Sequence, residues 1–367
     1  MKPYSISYPD KIIFGNGERK QLASLLPDGA LLIICGKHSQ KRINDELLPV
    51  LKDRPVELIA DINPEVPIAD VERACAAARR INAKAVIGWG GGSAIDCAKA
   101  AAALAPCQGE TADYFYARKS ITSKGLFFAA LPTTAGTGAE ITGNAVICDP
   151  ATGIKQSLRG AGMVADLAII DPELTFDCPP SVTAASGMDA LTQGLESLIS
   201  RKADTVSSAL AMQAVKKIFA HLENACTNLE EAREAVAEGS MLAGMAFSSS
   251  GLGAVHGIGH PLGSICSIPH GVCCALLLPI VLKWNYSVCT EKIDHIAAEL
   301  GLADGTELIQ NIIQLNSRLG IPVNARFSGL NTAQFDFIVK NSRSGSMKCN
   351  PRELSDEDIS EILRELL

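Results

Sequence analysis

Three of the six histidines in this 367-residue chain fall within one short segment, at His256, His260 and His270. On a helix, the spacing of four would place His256 and His260 on one face. His270 follows Ile268-Pro269, a break that lets its imidazole fold back toward the other two. Imidazoles converging on one point favour a transition metal such as Fe(II) or Zn(II). A single histidine in a small-residue helix is more often packing than ligand, and His221 and His295 read that way. A metal of this kind also takes a carboxylate. Asp189 is the best candidate, with Gln193 at i+4 on the same helical face and Glu196 one turn further. Alone, Asp189 reads equally well as a carboxylate interacting with a helix dipole.

A second chemistry is written in glycine. Gly90-Gly91-Gly92-Ser93 lies between an apolar strand-like run and an alanine-rich helical pattern. Glycines let the backbone approach a phosphate, and a helix N-terminus offers N–H groups and a positive dipole end. Ser93 adds a hydroxyl, and Asp96 is expected on the first helical turn. The pattern is not GxGxxG, nor does it follow the first strand, so a tight turn without a ligand stays open. A second loop, residues 132–140, carries Thr133, Thr134 and Thr137 among glycines and suits diphosphate or ribose contacts. Two such loops at the carboxyl ends of strands in one parallel sheet would face one crevice.

The elements that must hold these loops alternate in the first half of the chain. Apolar runs at 30–35, 56–60, 83–88, 126–131 and 168–170 read as buried parallel strands. Between them, Asp70 is expected to cap a helix whose apolar face holds Val71, Ala74, Cys75, Ala78 and Ile81. After about residue 180 helical patterns dominate, at 182–200, 204–222, 229–248, 292–300 and 306–319. The expected architecture is an α/β dinucleotide-binding domain with a parallel sheet, residues 1–178, followed by an all-helical domain, residues 179–367, with Pro179-Pro180 as punctuation. The length itself suits two domains.

Composition excludes several classes. Charged residues are 20% and hydrophobic residues 47%, which rules out wholesale disorder. A net charge of -7 without basic runs argues against nucleic acid. The 12 cysteines include no CxxC and are too dispersed for a small disulfide scaffold, so a reduced, cytoplasmic protein is expected. The N-terminus has no apolar signal-peptide core, and the longest apolar run, 272–282, falls short of a membrane span.

Five motifs in order identify a family. They are Gly-Gly-Gly-Ser-x-x-Asp at 90–96, Pro-Thr-Thr-x-Gly-Thr-Gly-x-Glu at 132–140, Gly-Met-Asp-Ala-Leu-Thr at 187–192, His-Gly-x-x-His-Pro-Leu-Gly at 256–263 and Pro-His-Gly at 269–271. Together they resemble the iron-containing (group III) alcohol dehydrogenases, which include lactaldehyde reductases and propanol dehydrogenases. The resemblance extends to Cys349-Asn350-Pro351-Arg352. It implies reversible, metal-assisted hydride transfer between a small alcohol or aldehyde and NAD or NADP, with a metal between the two domains and a homodimer or higher homo-oligomer. Gly90, Gly91, Gly92, Ser93 and Asp96 would hold the cofactor, and Thr133, Thr134 and Thr137 its phosphates and ribose. Asn144 would approach substrate. Asp189, His256 and His270 would ligate the metal, Fe(II) or Zn(II), and His260 would relay a proton.

Two positions depart from that pattern. The family's second ligand, four residues after the aspartate, is a histidine; here it is Gln193, a poorer donor. A retained but weakened site is expected, with ligation through the amide oxygen, a water in its place, or an absent metal as the open alternatives. At the end of the first strand, where NAD-preferring members often carry an acid, stands Gly36, followed by Lys37, His38 and Ser39. Without the acid a 2′-phosphate is not repelled, so NADP(H) should be accepted. Glycerol dehydrogenases, maleylacetate reductases and dehydroquinate synthase share the architecture and are the rival enzymatic readings. A binder that has lost its metal is the non-catalytic one.

Overall fold

The computed structural model describes residues 4–52, 54–321 and 330–366. Ser7–Asp177 make one compact unit, and Cys178–Leu367 with the N-terminal residues up to Ile6 make the other.

In the first unit, short apolar runs become the strands of one six-stranded, all-parallel sheet. The strands are β1 (Lys11–Phe14), β2 (Leu31–Cys35), β3 (Val56–Ile59), β4 (Ala85–Gly90), β5 (Phe127–Pro132) and β8 (Leu167–Ile170), in the order β1-β8-β5-β4-β2-β3. Alternate side chains of each central strand serve opposite faces. Leu32, Ile34 and Val86 pack under α1 (Ile68–Arg80) and α2 (Gly92–Leu104), while Leu31, Ile33, Cys35, Ile87 and Trp89 fill the other face with Leu22, Ile43 and Leu47. Burial on both faces is why these strands read as continuous apolar runs rather than alternating ones. The chain runs outward from β2 to β3, returns across β2 to β4, and continues outward to β5. The carboxyl ends of β2 and β4 are therefore a topological switch point, where sheets of this kind bind ligands.

Three features differ from expectation. β1 pairs with β8 in register Lys11↔Leu167 through Phe14↔Ile170, as an edge strand too short for its own pattern to stand out. β6 (Asn144–Asp149) and β7 (Ile154–Arg159) form a separate antiparallel hairpin. Asp70 is not the cap of α1; Pro67 is. Asp70 is the third helical residue, and its carboxylate accepts from Asn63 N and Nδ2 at 2.9 and 3.0 Å.

The second unit is helical: α3 (Pro180–Ile199), α4 (Thr205–Cys226), α5 (Glu230–Ser250), α6 (Ala254–Cys266), α7 (His270–Glu299), α8 (Gly305–Arg318), α9 (Thr332–Asn341) and α10 (Asp356–Leu366). Pro180 opens α3 at its first position, where a missing N–H costs nothing. Asp204 closes a capping box with Ser207 at the start of α4. Residues 292–300, expected as a separate helix, are chiefly the end of α7, which bends at Cys289 (φ −143°). At 30 residues α7 is long and apolar enough to cross a membrane by length and composition alone, although the uninterrupted apolar run within it, 272–282, is short. Its apolar side chains are spent otherwise: Cys273 to Leu278, Val281 and Leu282 are buried against neighbouring helices.

Candidate metal centre and dinucleotide loops

Each helix of the metal centre contributes from a defined place. Asp189 and Gln193 sit one turn apart in the middle of α3; His256 is the third residue of α6, and His270 the first of α7. His256 Nε2 lies 3.1 Å from Asp189 Oδ1, and His270 Nε2 lies 3.8 Å from the same oxygen. Gly271 makes this approach possible. A Cβ there would meet the Ala185 carbonyl oxygen at 2.1 Å, so any larger residue would push the start of α7 off α3.

Glu196 orients the cluster. Its Oε2 accepts from His256 Nδ1 at 2.7 Å, which turns Nε2 toward Asp189, and its Oε1 accepts from Val255 N at 2.7 Å. The same carboxylate thus satisfies a first-turn N–H of α6, whose cap, Gly253, has no side chain to do so. Asn350 Oδ1 takes the neighbouring Ala254 N–H and is itself locked to Asn285 of α7. A carboxylate behind a ligating imidazole fixes its tautomer and raises its basicity. From sequence, Glu196 was visible only as a residue near the right face.

A fourth side chain that the sequence did not single out stands beside Asp189, His256 and His270. Cys274 Sγ is 3.5 Å from His270 Nε2 and 4.0 Å from His256 Nε2. The ligating atoms of Asp189, His256, His270 and Cys274 all lie within 4.8 Å of one another. Cys274 stands to His270 as Gln193 stands to Asp189, one helical turn on, and that spacing was the available signal. Gln193 is also buried, and its Oε1 has no hydrogen-bond partner among the described residues. Burial alone would lower the His256 pKa; Cys274, Glu196 and Asp189 override it and hold the imidazole well above its ordinary range. Burial pushes the Cys274 thiol up to about 12. The field at this point therefore favours a cation, and the two imidazoles, carboxylate and sulfur suit a transition metal. His260 stands beside the four. Its ring stacks on His270 at 4.8 Å and 27° and meets His256 edge-on at 6.1 Å.

In the α/β unit the two glycine-threonine loops meet, as adjacent strands β4 and β5 require. Thr133 N donates to Gly90 O at 3.0 Å. A Cβ on Gly92 would strike the Thr137 side chain at 2.8 Å, and one on Gly90 would strike Ala94 at 2.8 Å and approach Gly36 N to 3.2 Å. Gly91 caps α2 without a side chain, so the first-turn N–H groups beside Ser93 are left for an anion. These residues fit a dinucleotide phosphate at the switch point. Gly36 follows β2 directly, with open space around it: a Cβ there would have nothing within 4 Å.

Asp96 is placed differently from expectation. It lies in the second turn of α2 and faces inward: Oδ2 accepts from Val146 N at 3.0 Å, and Lys99 stands 3.8 Å away. Lys99 Nζ donates to the carbonyls of Thr142 and Asn144 at 2.7 and 2.6 Å, which fixes the strand that begins with Asn144. The Asn144 side chain lies 3.4 Å from Ser157 Oγ. Burial lowers the Lys99 pKa to about 8 and raises that of Glu140, beside it, to about 7. Sequence reasoning passed over Lys99 and met Glu140 only as the end of the 132–140 motif.

A glycine loop at the switch point of one unit and a histidine-carboxylate cluster in the other are features that a metal-assisted, nicotinamide-dependent oxidoreductase would combine. Comparison with known proteins names it further. Residues 9–172 match the iron-containing alcohol dehydrogenase family, and residues 183–367 match the C-terminal region of the Fe-containing alcohol dehydrogenase family. The chain is 33% identical to an NADPH-dependent butanol dehydrogenase of Clostridium saccharobutylicum, covering 96% of this chain and 95% of the relative. It is 31% identical to an NAD-dependent methanol dehydrogenase of Bacillus methanolicus, covering 98% of each. The solved sulfoacetaldehyde reductase of Bifidobacterium kashiwanohense, in complex with NAD+, superposes with a TM-score of 0.92 at 30% identity, covering 100% of this chain and 99% of that one. The chain belongs to the iron-containing alcohol dehydrogenase family. It is an NAD(P)-dependent enzyme of reversible alcohol–aldehyde oxidoreduction.

Proposed function

We propose that this enzyme interconverts a small primary alcohol and its aldehyde, that it accepts NADPH as well as NADH, and that it does so with a divalent transition metal. The observation that carries the reading is the convergence of Asp189, His256 and His270 donor atoms on one point, with Glu196 behind His256. When bound, the metal supplies Lewis acidity and the nicotinamide supplies the hydride. The chain's own residues do the rest. Gly90, Gly91, Gly92 and Ser93 hold the phosphates at the start of α2, with Thr133, Thr134 and Thr137 alongside. His260, partly exposed and stacked on His270, moves the proton between the substrate oxygen and solvent through its imidazole. Asn144 contacts substrate. The 12 free cysteines suit a reducing cytoplasm, and a homodimer or larger homo-oligomer belongs to the same proposal.

For the nucleotide, the open position at Gly36 supports NADPH, since no acid meets a 2′-phosphate there; relatives use either dinucleotide. A panel of short aldehydes assayed with NADH and NADPH, with added Fe(II) or Zn(II) and with chelator, tests the reading. NADPH turnover that chelator abolishes is expected. Gly36→Asp should lower kcat/KM for NADPH by at least about tenfold and leave NADH nearly unchanged. A wild-type preference for NADH of about a hundredfold would refute NADPH use, by the same free-energy scale.

A further inference from the structure

The metal centre carries a sulfur that the fold does not need. Cys274 is fully buried where α7 faces α3 and α6, and its Sγ points at the Nε2 atoms of both ligating histidines rather than into an apolar pocket. A buried thiol with only structural duty packs as a small hydrophobe. Cys273, its neighbour, has its Sγ 3.9 Å from the Ile268 carbonyl oxygen instead. Gln193, one helical turn after Asp189, offers only a neutral amide oxygen.

We propose that Cys274 is a metal ligand, so that the centre is Asp189 Oδ1, His256 Nε2, His270 Nε2 and Cys274 Sγ, a set suited to Zn(II) in preference to Fe(II). The proposal rests on the metal-dependent reading above and goes beyond it in naming the fourth donor and the metal. Binding replaces the S–H bond with a sulfur–metal bond, and the proton leaves to solvent. Charge favours this exchange. Asp189 and a thiolate would neutralise a dication within the ligand set itself, with the buried Glu196 carboxylate held behind His256. Softness favours it too, since thiolate and imidazole together select zinc, while amide oxygen is the weakest of the available donors. Gln193 Oε1, buried and without a hydrogen-bond partner among the described residues, remains an acceptor facing the same helix side as Asp189.

The test uses the full-length chain, stripped of metal and reloaded with Zn(II) or Co(II). X-ray absorption of the zinc form should show one sulfur scatterer at about 2.3 Å. The Co(II) form should show a thiolate-to-metal charge-transfer band in the near ultraviolet. Both signals should persist in Cys273→Ser and vanish in Cys274→Ser, whose zinc affinity should fall at least about tenfold and whose zinc-over-iron selectivity should shrink. In Gln193→His the sulfur should remain. A loaded wild type with only nitrogen and oxygen around its metal would overturn the thiolate ligand and leave the dehydrogenase reading intact. A wild type that binds no metal, with turnover indifferent to chelator, would overturn both. Because the wild-type spectra decide the first question alone, misfolding of Cys274→Ser would not protect the proposal.

Discussion

Glu196 is the residue on which the histidine cluster turns. It accepts from His256 Nδ1 with one oxygen and from the α6 backbone with the other, so orientation of the ligand and capping of its helix share one carboxylate. Glu196→Gln keeps an oxygen for the Val255 N–H but removes the charge behind the imidazole. Metal affinity should fall about ten- to a hundredfold, the usual effect of losing such a partner. Competition titration with a chromogenic chelator measures it; an unchanged affinity would mean that the carboxylate serves α6 alone. At this scale the sequence was readable where residue type carries chemistry by itself. His256, His260, His270 and Asp189 announced themselves through type and spacing. Glu196 and Cys274 did not, because nothing local distinguishes a carboxylate that reaches another helix from one in solvent, or a ligand thiol from a packed one. Asp96 was expected on the first turn of α2 and stands on the second, where its carboxylate accepts from Val146 N with Lys99 3.8 Å away.

The parallel strands were legible because burial on both faces leaves an unbroken apolar run. The β6–β7 hairpin was not, since its alternation is interrupted by the polar residues of β7, most of them exposed. Lys99 on α2 helps hold that hairpin: its Nζ donates to the carbonyls of Thr142 and Asn144, with Asp96 and Glu140 around it. This arrangement has a pH signature. Burial raises the Glu140 pKa from 4.5 to about 7, so between those values the folded chain holds a proton that the unfolded chain releases. Folding is therefore progressively disfavoured as pH rises through that window, by up to about 3 kcal/mol above it. Glu140→Gln imitates the protonated acid and escapes the effect. Denaturant unfolding of both proteins should give similar stabilities near pH 4.5, diverge in favour of the variant up to about pH 7, and run parallel above. A difference that stays constant from acid to alkaline pH would show that Glu140 titrates normally.

Across the whole molecule, the two chemistries belong to different compact units. Gly36, Gly90 to Ser93 and Thr133 to Thr137 lie within Ser7–Asp177, whereas Asp189, Glu196, His256, His270 and Cys274 lie within Cys178–Leu367. A ligand that binds only the native form stabilises it by mass action, about 2.7 kcal/mol at a hundred times its dissociation constant. Metal bridging α3, α6 and α7 should concentrate that gain in the helical unit, because opening any of the three helices then requires its release. Phosphates on the α2 N-terminus should concentrate theirs at the β4–α2 junction and the 132–140 loop. Hydrogen exchange followed by mass spectrometry can separate the two. Zinc added to chelated enzyme should slow exchange most in α3, α6 and the first turns of α7, and NADPH should slow it most around residues 88–94 and 132–140. If zinc protected the glycine loop and left α6 unchanged, the histidine cluster would not be where the metal binds.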